Sequence, residues 1–124
     1  MLIDTCGLLR LVFGTLSDEA KALLDSDPDP LICPVSYYEI GFKNAIGKLE
    51  LPIAAEDLRG RVLESYFFRE VAVDGEITSK AATLPIHHRD PFDRILIATA
   101  LRENVAVLTD DRRFADYGVN VVPC

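Results

Sequence analysis

Short aliphatic runs alternate along the chain with segments whose apolar residues recur at helical spacing. The runs are MLI at the start, LICPV at 31–35, YFFREVAV at 66–73, VAVL at 105–108 and VNVV at 119–122. Compact apolar runs bounded by turn signals are typical of buried strands. Strands that alternate with helices predict an α/β fold of three layers (α/β/α), with a central parallel sheet of four to five strands.

Turn and cap residues place the helices between these runs. Ser17 is predicted to cap a helix over the following residues, and the DPDP sequence at 27–30 to form a turn. A further helix is expected from Ser36 through YYEIGFKNAIGKLEL. Asp90 followed by Pro91 fits an N-cap and a proline in the first helical position, so Asp90 is interpreted mainly as the cap of PFDRILIATALRE.

Length and composition restrict the class of protein. The 124 residues are expected to form a single domain over 1–124, and 49% hydrophobic content argues against disorder. No apolar run reaches the roughly 20 residues of a membrane span, and the first residues lack the basic leader of a signal peptide.

Three cysteines without metal-site spacing predict reduced, mostly buried thiols in a cytoplasmic protein. A net charge of −7 argues against a non-specific nucleic-acid coat protein, which would be basic.

Several acidic residues fall near one edge of the predicted sheet. Asp4 follows the first strand, and Asp110 and Asp111 follow VAVL and Thr109. Glu39 lies one turn into the helix that leaves LICPV, and Asp93 lies in the first turn of its helix. Because ligands of parallel sheets bind beyond the carboxyl ends of the strands, these acids are expected to share one neighbourhood.

Each acid also has an ordinary structural interpretation. Asp4 and Asp93 could serve helix termini, Asp110 and Asp111 could form a polar turn, and Glu39 could be a solvated helix residue. Together, however, clustered carboxylates repel one another unless a cation intervenes. A ligand set made only of oxygen suits Mg²⁺ or Mn²⁺, which can activate water and stabilise the leaving oxygen of a phosphodiester.

The chain resembles PIN-domain ribonucleases, specifically the VapC-like toxins of bacterial type II toxin–antitoxin pairs. The resemblance covers essentially the whole length and depends on LIDTCGLL, SYYEIGFKNAIGKLEL and HHRDPFDRILIATALRENVAVLTDDRRFADYGVNVV. It places the acidic quartet of the family on Asp4, Glu39, Asp93 and Asp111. Cys6 stands where many relatives have histidine, and Tyr38 where many have tryptophan.

The resemblance implies roles for the four acids. Asp4 and Asp93 would be direct metal ligands. Glu39 would bind the metal directly or through water and help to orient the nucleophile. Asp111 occupies the family's less strictly kept acidic position, and Asp110 a variable one. The hydroxyls of Thr5 and Thr109 are expected to bond these carboxylates.

The resemblance further implies metal-activated hydrolysis of single-stranded or loop RNA, a homodimer, and an antitoxin whose tail blocks the acidic groove, often with an arginine. Aliphatic residues of the early helices could form the partner surface, with burial in the core as the alternative: Leu11, Val12 and Leu16.

Other side chains are secondary candidates. Arg94, Arg112 and Lys43 could contact RNA phosphates, with solvated surface as the alternative. His87 and His88 are interpreted as exposed loop residues rather than catalysts.

Three alternative functions remain open. A receiver-like phosphoacceptor domain would need its acidic pair after the first strand and a lysine after the last, and this chain has neither. A catalytically idle binding module of the same fold is the second alternative. The third is a nuclease that acts on DNA.

Overall fold

A computed structural model describes residues 1–124 as a five-stranded parallel sheet with helices on both faces, which confirms the predicted three-layer architecture. The strands are β1 (Leu2–Ile3), β2 (Leu31–Ile32), β3 (Arg69–Glu70), β4 (Val107–Leu108) and β5 (Val121–Val122). The helices are α1 (Thr5–Phe13), α2 (Asp18–Ser26), α3 (Val35–Ala45), α4 (Leu58–Ser65), α5 (Gly75–Thr83) and α6 (Pro91–Glu103). Short 3₁₀ segments cover Ala55–Asp57 and Arg112–Tyr117. No helix combines the length and the apolar character that crossing a membrane would require.

The strands are shorter than the aliphatic runs that predicted them. β1 ends at Ile3 because Asp4 already serves as the N-cap of α1. β2 ends just before Cys33 and Pro34, and Pro34 has no N–H to donate to a neighbouring strand. The sequence pattern therefore located each strand correctly but not its length.

The strand order is β3-β2-β1-β4-β5, with β1 at the centre. Leu2 lies opposite Leu31 on one side and Val107 on the other, so the carboxyl ends of all three central strands are level. Receiver-type sheets have the order 2-1-3-4-5, so the receiver alternative is wrong. The order reverses between β1 and β4, and ligands of such sheets bind at that switch point.

Two hydrophobic clusters lie on opposite faces of the sheet. Successive strand residues point to opposite faces, so Leu2 packs into one cluster and Ile3 into the other. The first cluster includes Leu31, Val107, Ile77 of α5 and Leu96 and Ile97 of α6. The second includes Ile32, Leu108, Leu8 of α1, Leu24 of α2, Ile40 of α3 and Val62 of α4. Helices anchored on both faces hold their N-termini against the carboxyl edge.

Candidate metal centre

Asp4 joins β1 to α1 at the centre of the carboxyl edge. Its Oδ1 accepts a hydrogen bond of 2.5 Å from the backbone N–H of Gly7, which caps α1. Its own N–H donates to the carbonyl of Leu108 at 3.1 Å. A Cβ at Gly7 would lie 3.1 Å from Asp4 Oδ1 and 3.1 Å from the Leu108 carbonyl. The missing side chain of Gly7 thus lets α1 close onto the edge and fixes the Asp4 carboxylate there.

Glu39 is buried one turn into α3, with 6% of its surface exposed. Its Oε1 accepts a hydrogen bond of 2.6 Å from Lys43 Nζ, and its Oε2 is buried without any hydrogen-bond partner. A buried carboxylate oxygen without a partner costs free energy unless a cation or a donor is supplied from outside the chain. This residue was predicted from topology, but its unpartnered oxygen is visible only in three dimensions.

Asp93 lies in the first turn of α6, beside the cap Asp90. Asp90 Oδ1 accepts the N–H of Phe92 at 2.9 Å and, more weakly, that of Asp93 at 3.4 Å, which confirms its predicted capping role. Because Asp90 caps the helix, the half-buried Asp93 carboxylate is not needed for capping and lines the site instead.

Asp111 follows β4, and three side chains hold it in place. Its backbone N–H donates to Thr109 Oγ1 at 3.0 Å, and Arg113 donates to its carboxylate through Nε (3.0 Å to Oδ1) and Nη2 (2.7 Å to Oδ2). His88 Nε2 lies 2.8 Å from Asp111 Oδ2. Of the two threonines expected to bond carboxylates, Thr109 accepts the backbone N–H of Asp111 and helps to lower the pKa of Asp4. The expectation for Thr5 is wrong, because its hydroxyl donates to Ser36 Oγ at 3.0 Å.

These elements bring the four predicted acids into one cavity of about 600 Å³. Its lining consists of Asp4, Thr5, Cys6, Leu9, Glu39, Lys43, Asp90, Asp93, Asp110 and Asp111. Six of these residues carry a carboxylate and only Lys43 is basic. Asp110 is already paired with Arg10 at 2.6 Å and with the Cys124 N–H at 3.0 Å, so it is less available than its neighbours.

The acids of the cavity differ in how readily they ionise. Burial, and after it the negative charges of Asp110 and Glu39, raises the pKa of Asp4 to about 6, against hydrogen bonds from Thr109 and Gly7. Burial, followed by the charge of Asp90, raises the pKa of Asp93 to about 7. The hydrogen bonds from Arg113 lower the pKa of Asp111 to about 2. Two carboxyls of the cavity thus resist ionising, as expected of buried acids that have other negative charges nearby.

The residues present fit a hard divalent cation. Carboxylate oxygens are the ligands that Mg²⁺ and Mn²⁺ prefer, and Glu39 offers a buried oxygen that nothing in the chain satisfies. His88 Nε2 and one oxygen each of Asp93 and Asp111 lie within 4.8 Å of one another. The set that could hold a metal therefore comprises the four acids, with His88 beside two of them.

His88 corrects the interpretation of the histidine pair as exposed loop residues. His87 is exposed, but His88 is buried, with 3% of its surface accessible, and its ring lies beside Asp93 and Asp111. No local pattern signals this, because the path of the loop between α5 and α6 decides where the ring points.

Arg94 is also placed differently from its predicted role as a phosphate contact. Its side chain is buried, and its guanidinium donates to backbone carbonyls rather than facing solvent. The acceptors are Ala81, Leu84, Pro85 and His88. Arg94 therefore holds the chain between α5 and α6 together. Lys43 lines the cavity. Arg112, which follows Asp111 in the sequence, is exposed to solvent.

The early aliphatic residues and the cysteines divide between core and surface. Leu11 is buried in the core, whereas Val12 and Leu16 are half-buried against it. All three cysteines are free thiols, with Cys33 and Cys124 buried and Cys6 exposed at the cavity.

The chain is similar to chains of several solved structures over nearly its whole length. A chain of a toxin–antitoxin complex from Klebsiella pneumoniae matches with 21% identity and a TM-score of 0.64, covering 98% of this chain and 94% of that one. A chain of FitAcB from Neisseria gonorrhoeae matches with 22% identity and a TM-score of 0.69, covering 97% and 94%. A chain of FitAB bound to an IR36 DNA fragment matches with 22% identity and a TM-score of 0.62, covering 98% and 93%.

Identities of 21–22% establish a shared fold and no more. A search of curated protein sequences found no match to this chain. The family model of the PIN domain matches residues 1–120. These residues include strands β1 to β4 and the four acids predicted from the sequence, Asp4, Glu39, Asp93 and Asp111. The chain therefore belongs to the PIN domain family.

Proposed function

We propose that this chain is a Mg²⁺- or Mn²⁺-dependent endoribonuclease, folded as a single PIN domain over residues 1–124, that acts as the toxin of a toxin–antitoxin pair. The observation that carries the proposal is the quartet of Asp4, Glu39, Asp93 and Asp111 around one cavity, with Asp4 and Glu39 buried and Glu39 Oε2 lacking any partner. Membership of the PIN family and the toxin–antitoxin structures that share this fold support it.

The four acids would hold the cation, which when bound supplies Lewis acidity and lowers the pKa of a water molecule. Ionisation of Asp4 and Asp93 is then favoured, because the positive charge offsets the burial and repulsion that raise their pKa values. Glu39, whose Oε2 has no partner within the chain, would hold the cation directly or through a water molecule and would orient that water. Lys43 at the cavity and the exposed Arg112 supply positive charge for the RNA phosphates.

The test is incubation of the purified chain with total RNA and Mg²⁺ or Mn²⁺, followed by sequencing of new RNA ends. We expect 5′-phosphate ends that disappear with a chelator and in Asp4→Asn and Asp93→Asn. Asp18→Asn, an exposed acid outside the cavity, is the matched control and should cleave like the wild type. Ends that carry a 2′,3′-cyclic phosphate would indicate attack by the RNA's own hydroxyl and contradict the metal-dependent mechanism.

DNA is the alternative substrate, because one structure of the same fold holds a DNA fragment. A parallel incubation with single-stranded and duplex DNA of matched sequence separates the two substrates. Cleavage of DNA alone would replace the ribonuclease assignment. Absence of cleavage of either polymer by folded protein would favour the catalytically idle module.

We also propose that the partners are an antitoxin, whose tail enters the acidic cavity, and a second copy of this chain. A tail with an arginine would complement the six carboxylates of the cavity, whose lining contains no basic residue other than Lys43. For the homodimer, Tyr38 and Phe42 lie on α3, and Ile46 follows its last residue. These apolar residues recur every four positions and are 49–62% exposed. The ring of Tyr38 also contacts that of Phe92, with centroids 5.8 Å apart. Exposed apolar patches of this kind mark protein contacts.

Sedimentation analysis tests the homodimer. Phe42→Glu is expected to convert a dimer into a monomer, whereas Phe67→Glu, at an exposed aromatic residue that precedes β3, should leave the dimer intact. A wild-type chain that sediments as a monomer would contradict the proposal.

A further inference from the structure

The buried ring of His88 bridges two carboxylates of the cavity. Its Nε2 lies 2.8 Å from Asp111 Oδ2 and 3.0 Å from Asp93 Oδ2, and its side chain is 2% exposed. Asp93 lies in the first turn of α6 and Asp111 follows β4, so the ring connects two elements that are separated along the chain. Two carboxylates held this close repel each other unless a donor or a cation lies between them.

The second ring nitrogen of His88 fixes which nitrogen carries the proton. The backbone N–H of Asp90 donates to Nδ1 at 3.1 Å, so Nδ1 must present its lone pair. In the neutral imidazole the hydrogen then resides on Nε2, which faces Asp93 and Asp111 as a donor. A nitrogen that bears hydrogen has no lone pair for a metal ion, so this arrangement favours a hydrogen-bonding role over ligation.

The backbone around His88 is held independently of the two acids. Arg94 Nη1 donates to the His88 carbonyl at 2.9 Å, within its set of bonds to the segment after α5. The Tyr117 hydroxyl accepts the N–H groups of His87 (3.1 Å) and His88 (2.7 Å) and donates to the carbonyl of Pro85. The edge of the His88 ring meets Phe114, with centroids 6.2 Å apart. Because these contacts fix the His88 backbone and ring, the ring can determine where the carboxylates of Asp93 and Asp111 lie.

We propose that His88 is a positioning residue of the metal centre, whose Nε2–H holds the carboxylates of Asp93 and Asp111 together so that both face one cation, without His88 itself being a ligand. This inference depends on the proposed metal site and adds to it the residue that preorganises two of its ligands. Hydrogen-bonding partners of metal ligands typically contribute about 10- to 100-fold in metal affinity.

The first test is titration of metal-free protein with Mn²⁺ in a calorimeter. His88→Leu, which removes the donor, is expected to weaken Mn²⁺ binding by about 10- to 100-fold. His88→Gln offers an amide N–H at a similar reach and should recover most of that loss. His87→Gln is the matched control at the exposed neighbour and should bind like the wild type.

The second test is spectroscopic and needs only the wild type and His88→Gln. Electron spin echo envelope modulation of bound Mn²⁺ should show no coordinated imidazole nitrogen in the wild type. A coordinated nitrogen that disappears in His88→Gln would make His88 a ligand and overturn the positioning role, and this readout holds even if His88→Leu fails to fold. His87 and His88 are the only histidines of the chain, so the signal has few possible sources.

The outcomes separate this inference from the proposed function. Tight Mn²⁺ binding by the wild type together with unchanged binding by folded His88→Leu overturns the role of His88 and leaves the nuclease proposal standing. Failure of the wild type to bind Mn²⁺ or Mg²⁺ overturns the metal centre itself, and the positioning role with it.

Discussion

Lys43 Nζ lies 2.6 Å from Oε1 of Glu39, one helical turn away, and supplies the only positive charge among the residues that line the acidic cavity. The hydrogen bond to Glu39 raises the pKa of Lys43 above its ordinary value, so the ammonium charge persists through neutral pH. A divalent cation that binds Glu39 must compete with this ammonium group.

Replacement of Lys43 should therefore affect metal and RNA in opposite directions. Because Lys43 is half-exposed, Lys43→Gln is expected to tighten Mn²⁺ binding only about two- to fivefold, the range of a surface ion pair. The same change should raise KM for RNA, since a phosphate contact is lost. Calorimetry and steady-state kinetics measure the two effects, with Lys48→Gln as the control outside the cavity. Weaker Mn²⁺ binding together with a higher KM for RNA would contradict competition between Lys43 and the metal at Glu39.

Asp4 is predicted to make the metal-free protein less stable as pH rises. Its pKa is about 6 in the folded chain against 3.8 in the reference state, so the folded state binds more protons between these values and stability falls with increasing pH. The full penalty is about 3 kcal/mol near pH 8, from roughly 1.4 kcal/mol per pKa unit. Asp4→Asn removes the charge and keeps a cap acceptor for the Gly7 N–H.

Urea unfolding in the presence of chelator checks this prediction. Asp4→Asn should be more stable than the wild type by up to about 3 kcal/mol at pH 8 and should differ little at pH 4. Mg²⁺ should narrow the gap at pH 8 by stabilising only the wild type. An equal difference at both pH values would show that ionisation of Asp4 is not the cause.

Arg94 is expected to matter for stability rather than for RNA binding. Arg94→Met leaves four backbone carbonyls without their donor and should cost roughly 2–4 kcal/mol of unfolding free energy. The exposed Arg112 provides the contrast, since Arg112→Met should leave stability unchanged and raise KM for RNA. Urea unfolding measures the stability of both variants, and steady-state kinetics measures their KM for RNA. An unchanged unfolding midpoint for Arg94→Met would contradict the structural role of Arg94.

Two glycines should respond to alanine in opposite ways. At Gly7 a Cβ would lie 3.0 Å from Ile3 Cγ1 and 3.1 Å from the Leu108 carbonyl. Gly7→Ala must therefore push α1 away from β4, which is expected to lower the free energy of unfolding by about 1–3 kcal/mol. At Gly60, exposed within α4, a Cβ meets nothing within 4 Å, so Gly60→Ala should stabilise by about 0.5–1 kcal/mol. Thermal unfolding measures both, and a neutral Gly7→Ala would show that α1 can move without cost.

The sequence predicted the fold and the grouping of the acids because both depend on topology. Asp4, Glu39 and Asp93 follow from the rule that parallel strands end at one edge and helices begin there. Their spacing along the chain carries no further information. The lengths of the strands depend on local competition, such as the cap at Asp4, which an aliphatic run does not reveal.

The loop between α5 and α6 could not be predicted in the same way. His88 and Arg94 have sequence neighbours typical of a solvated loop and a helix surface, yet both are buried. Their environment comes from backbone carbonyls and from the hydroxyl of Tyr117, nearly thirty residues away from His88. No periodicity encodes such contacts, because they depend on the path of an irregular segment rather than on a repeating geometry.

The central place of β1 in the sheet also has a consequence for synthesis of the chain. β1 pairs with β4, and the N–H of Asp4 donates to the carbonyl of Leu108, so the first acid is held by a strand made more than a hundred residues later. A nascent chain that has not reached β4 carries Asp4 and Glu39 but lacks both Asp111 and the strand that fixes Asp4. The acidic centre therefore stays incomplete during synthesis until β4 and Asp111 have been made.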